Sequence, residues 1–60
     1  MKIEYIKQSN IHVEVFADDK KVADIQKHAL GYEIWFTEGD VIGYPTMAEA
    51  KREIERRYNS

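Results

Sequence analysis

From Ile11 to Ala17 two sets of positions alternate, with Ile11, Val13, Val15 and Ala17 on one side and His12, Glu14 and Phe16 on the other. A period of two marks a strand with one buried face, and β-branched residues suit it. Residues 2–7 alternate more loosely and predict a strand closed by the turn formers Ser9 and Asn10. A further strand runs from Lys21 to about His28, with Ala23 and Ile25 on one face and Val22, Asp24 and Gln26 on the other. Leu30-Gly31 turns the chain again. Tyr32, Ile34 and Phe36 then alternate with Glu33, Trp35 and Thr37, until Glu38-Gly39-Asp40 ends the strand.

Parity constrains how these strands pair, because a one-residue slip exchanges the two faces. A two-residue Asp18-Asp19 loop would set Val13 opposite Asp24 and place a carboxylate in the core. A three-residue loop, Asp18 to Lys20, pairs Val15 with Ala23 and Val13 with Ile25, and is the register expected. On the other face it sets Glu14 opposite Asp24 and Phe16 opposite Val22.

After Pro45 the period changes. Thr46-Met47-Ala48-Glu49 is a capping box, in which the Thr hydroxyl accepts from the Glu49 amide and the Glu49 carboxylate reaches back. Met47, Ala50, Ile54 and Tyr58 recur at steps of three and four and form one apolar stripe. Glu53 with Arg57, and Lys51 with Glu55, are i, i+4 ion pairs, and Arg56-Arg57 suit the negative end of the helix dipole. The expected architecture is therefore α+β: one domain over residues 1–60, an antiparallel β-meander of three to four strands with one C-terminal α-helix packed on one face.

Composition narrows the functional classes. The chain has no cysteine, which removes disulfides, thiolate metal ligands and a thiol nucleophile together. Its two serines stand in a turn and at the end, and no glycine-rich phosphate loop is present, so an enzyme is not expected. Apolar runs stop at three residues, far short of the ~20 that span a bilayer. A cytoplasmic protein is expected. Residues 1–45 carry five Lys against eight Asp and Glu, whereas residues 46–60 carry four basic against three acidic residues. An acidic body with a weakly basic end argues against non-specific nucleic-acid binding, which relies on several cations each neutralising a phosphate.

The segment Val13-Glu14-Val15-Phe16-Ala17-Asp18-Asp19-Lys20-Lys21-Val22-Ala23-Asp24-Ile25, followed by Gly31-Tyr32 and by Pro45-Thr46-Met47-Ala48-Glu49-Ala50-Lys51, resembles a group of small phage and prophage proteins. Asp19 and Ala23 stand where that pattern often has glycine. The order of strands and helix is also similar to the arm-binding domain of phage integrases and to plant ethylene-response DNA-binding domains, which place the open sheet face in the major groove. Carried over, that likeness implies His12, Glu14, Phe16, Val22, Asp24, Gln26, Glu33 and Trp35 as groove-facing residues. Three of them are carboxylates and none is Lys or Arg, which is the wrong chemistry for DNA.

Three sets of residues have chemical potential. His12, Glu14, Asp24 and His28 share the outer face by parity and are chemically able to hold zinc, but their spacing matches no known site, so neither a metal nor another cofactor is expected. Phe16, Val22 and Trp35 are left over once the core face is filled, and with Glu14 and Asp24 they predict a binding surface. The expected function is that of a non-enzymatic, phage-encoded module binding a host or phage protein through this acidic and aromatic face, as an inhibitor of a host nuclease or defence complex, or binding itself as a homodimer. Neither a membrane nor a small-molecule substrate is expected as its target. The alternative is a DNA-binding accessory protein that contacts phosphates through Lys51, Arg52, Arg56 and Arg57.

Overall fold

A computed structural model of the chain describes residues 2–59. Five strands, β1 (Ile3–Lys7), β2 (His12–Ala17), β3 (Lys20–His28), β4 (Gly31–Phe36) and β5 (Val41–Tyr44), precede one helix, α1 (Met47–Tyr58). The sheet is antiparallel throughout and its order is the chain order, β1-β2-β3-β4-β5. The α+β meander with a C-terminal helix is thus as the sequence predicts, with one strand more than expected. The extra strand is β5, which pairs with β4 through Ile34 and Ile42 rather than folding across the sheet.

The β2–β3 hairpin reaches the expected register by an unexpected route. Val13 pairs with Ile25, Val15 with Ala23 and Glu14 with Asp24. The loop has two residues, not three: Asp18 and Asp19 both take positive φ, 51° and 69°, as the turns that match strand twist require. The missing residue is absorbed inside β3. Phe16 pairs with Lys21, not Val22, so Val22 is a bulge with no partner across β2. The bulge turns Val22 inward beside Ala23, and these consecutive residues are both buried, Val22 to 7% exposure. The carbonyl of Val22 accepts from both the Thr37 amide (3.0 Å) and the Thr37 hydroxyl (3.3 Å), which ties the bulge to the end of β4.

Gly31 opens β4 at φ +147°, where a Cβ would lie 2.4 Å from the Tyr44 carbonyl oxygen, so no other residue lets β5 close against the hairpin. On the inner face Val15, Ala17, Val22, Ala23, Ile25, Ile34 and Phe36 meet Ala50 and Ile54 of α1 in one core. Met47 and Tyr58, the ends of the helical stripe, pack against its margin. The N-cap is Thr46: its hydroxyl oxygen accepts from the Glu49 amide at 3.2 Å, and its hydroxyl lies at the same distance from the Glu49 carboxylate. The carboxylate therefore reaches back to the cap side chain instead of the cap amide.

Candidate protein-binding face

Strand pairing writes the outer face as rows, because directly paired residues share a side of the sheet. One row reads Glu4, Phe16, Lys21; the next Ile6, Glu14, Asp24, Trp35, Val41; the third His12, Gln26, Glu33, Gly43. Neither the helix nor a terminal strand covers it. Trp35 is 46% exposed, and Ile6 and Val41, at the two ends of its row, are 45% and 47% exposed. Four strand spacings of ~4.8 Å put these ends ~19 Å apart. Phe16 is half-buried.

The middle of the face is ionic. Glu14 and Asp24 oppose each other directly, an arrangement that repels unless a cation intervenes. Lys21 does so, with its ammonium 2.9 Å from Glu14 and 3.0 Å from Asp24. Hydrogen bonds to Glu14 and then Asp24 hold this lysine above its ordinary pKa. The bulge is what delivers it, since the extra residue carries Lys21 back onto the outer face opposite Phe16. His12 Nε2 lies 2.7 Å from Asp24 Oδ1, and the Gln8 side-chain amide donates to Glu14 at 2.7 Å. Burial opposes the charge on Asp24, yet the hydrogen bonds from His12 and Lys21 outweigh it and keep the carboxyl below the usual range. Further along, Glu33 sits 2.8 Å from His28 Nε2 and accepts from the Trp35 indole N–H at 3.3 Å, which fixes the indole edge.

Of the residues expected to bind a partner, Glu14, Phe16, Asp24 and Trp35 lie together on this face. Val22 does not: the bulge moves it to the core, and its place beside Phe16 is taken by Lys21. Ile6 and Val41 widen the exposed apolar surface, because β1 and β5 lie alongside the sheet. Parity within β1 and β5 is the signal that would have found them. The four candidate zinc ligands do not converge: His12 pairs with Asp24, Glu14 with Lys21, and His28 with Glu33, which was not one of the four. Among the described residues no three His, Asp or Glu side chains are placed to share a metal ion.

Three of the four basic helix residues have partners within the molecule. The Lys51 ammonium stands 4.8 Å over the Tyr5 ring rather than beside Glu55. Arg56 forms a two-pronged pair with Glu53, and Arg57 lies 3.8 Å above the Phe36 ring while reaching Asp40 at 3.2 Å. Arg52 is exposed. At the far end, Leu30 in the β3–β4 turn is 96% exposed beside an open hollow of about 640 Å³ lined by His28, Glu33, Gly43 and Pro45.

No family model, no curated protein and no solved structure matches the chain. No helix among the described residues is long and apolar enough to cross a membrane.

Proposed function

We propose that this chain is a non-enzymatic binding module that docks a protein partner on the outer face of its sheet. The observation that carries the reading is the row Ile6, Glu14, Asp24, Trp35, Val41: three large apolar side chains, each nearly half exposed, around two carboxylates. A tryptophan anchor within a polar surround is the usual make-up of an interface centre. Glu4, Glu14, Asp24 and Glu33 against Lys21 leave the face acidic, which suits a basic partner. A nucleic-acid-handling protein of the host, inhibited by occupation of its basic surface in the cytoplasm, fits that charge and the resemblance to phage proteins. Capture of partners from the native host by tagged wild-type protein and by Trp35→Ala tests this, with Arg52→Ala as control. The expected result is a partner lost with Trp35→Ala and kept with Arg52→Ala; equal recovery by all three proteins overturns the reading. The DNA-binding alternative has less support, because Lys51, Arg56 and Arg57 are held by Tyr5, Glu53, Phe36 and Asp40. Four phosphate contacts would give a log–log salt dependence of about −4.

A further inference from the structure

The edge of the sheet, rather than its face, carries a second surface. The Phe36 amide donates to the Asp40 carbonyl at 2.9 Å. Hydrogen-bonded and non-bonded pairs alternate along an antiparallel ladder, so the pairs Ile34–Ile42 and Tyr32–Tyr44 are bonded and Trp35–Val41 and Glu33–Gly43 are not. The N–H and C=O groups of Val41 and Gly43 therefore point away from β4, out of the sheet. Both residues are exposed. We propose that β5 pairs antiparallel with β5 of a second copy of this chain about a two-fold axis at Ile42, joining two five-stranded sheets into one.

Three features favour a second copy as the occupant. The register is self-complementary, since a two-fold axis at Ile42 sets Val41 opposite Gly43 of the second copy and Gly43 opposite its Val41, each pair exchanging two backbone bonds. The side chains also match. Gly43 leaves a gap in the outer face, continuous with the hollow beside Leu30, at the position where Val41 of the second copy would project. Charge separates this mode from stacking of the two faces. Edge pairing leaves five strand spacings, ~24 Å, between the two copies of Asp24, beyond a Debye length of ~8 Å, whereas stacked faces would press like-charged acidic surfaces together. The opposite edge is guarded, because β1 is bounded by Lys2 and Lys7, the kind of residue that discourages edge pairing. This inference concerns the edge and stands whether or not the face binds a partner.

An interface of one short strand is well below the ~1,200 Å² of a standard one, so half-association is expected at roughly 0.1 to 1 mM. Sedimentation equilibrium and amide exchange across that range are the test. The expected result is an average mass that rises above 7.1 kDa toward twice that value, with exchange slowed at the Val41 and Gly43 amides. Gly43→Pro removes the outward N–H and should stay monomeric; should it not fold, Val41→Lys, an edge guard, should be folded and monomeric. A constant mass to about 1 mM overturns the proposal. So does association that persists in a folded variant, or exchange protection centred on β1 or on Phe16.

Discussion

Phe36 and Trp35 are neighbours in the same strand and belong to different worlds. Phe36 is buried in the inner face with the Arg57 guanidinium above it and the Tyr58 ring 6.4 Å away. Trp35 lies on the open face, its indole N–H tied to Glu33 and its ring beside Val41. The inner face is apolar and lidded by a helix; the outer face is organised by ion pairs with apolar residues set at its margins. Burial drives folding on the first, so its residues answer to packing. On the second, the hydrophobic surface left in water contributes nothing to the fold, which makes it surface available for another molecule.

The largest test of this contrast is the pair Phe36→Ala and Trp35→Ala. Removing a buried aromatic costs about 3–5 kcal/mol, near the whole stability of a domain this small, so Phe36→Ala should be unfolded or melt far lower. Trp35→Ala, which removes a side chain nearly half exposed, should cost clearly less, about 1–2 kcal/mol in thermal melts. Equal losses would erase the distinction between the faces. Val22→Ala comes next. Simple alternation places Val22 outside, where truncation is nearly free; the bulge places it inside, and a cost of about 2 kcal/mol is expected from denaturant titration. Thr46→Ala loosens the lid of the inner face alone. It should cost about 1 kcal/mol and leave the amide shifts of Glu14, Asp24 and Trp35 unchanged.

Acidification separates the faces with the smallest effect. The folded-state pKa of Asp24 is depressed, so its contribution is complete above the unfolded value of about 3.9 and disappears as pH falls through the lower folded one. Wild type should exceed Asp24→Asn by no more than about 1 kcal/mol at pH 7, and the two melts should converge as pH falls through the depressed folded value. On the inner side the sign is opposite. Burial first, then the charge and hydrogen bond of Glu55, push the Tyr5 phenol up to about 12. Its contribution is complete below pH 10 and is lost as pH rises through 12, so ultraviolet titration of wild type against Tyr5→Phe should show one tyrosine ionising near pH 12.

Much of this was legible in the sequence. The helix was, because its cap, its stripe and its basic last turn all agree, and so was the outward aim of Trp35, because alternation in β4 is uninterrupted. The register of β2 against β3 followed from keeping Asp24 out of the core. The bulge escaped for the same reason: parity says how many residues must be absorbed between Val15 and Ala23, not whether the turn or the strand absorbs them. Two aspartates at positive φ take the tight turn, and Val22 is left over to fill the core. β5 was missed since Val41-Ile42-Gly43-Tyr44 is short, contains glycine and runs into Pro45, which together read as a loop. With β5 went the recognition that Val41 extends the aromatic surface. The pairing of Lys21 with two carboxylates also had no sequence signal, being a product of the bulge.

The order β1-β2-β3-β4-β5 also governs how quickly the molecule can assemble. Every strand finds its partner in the next stretch of chain across turns of two to a few residues, so the sheet grows by local zippering with little loop entropy lost at each step. Contacts between the ends of the chain, such as the Tyr5 hydroxyl with Glu55 fifty residues on, need the sheet and helix already in place. A transition state centred on the β2–β3–β4 hairpins, with β1 and the last turn of α1 joining late, follows from that ordering. Losses at Tyr5 should then appear as faster unfolding and losses at Ile25 or Ile34 as slower folding.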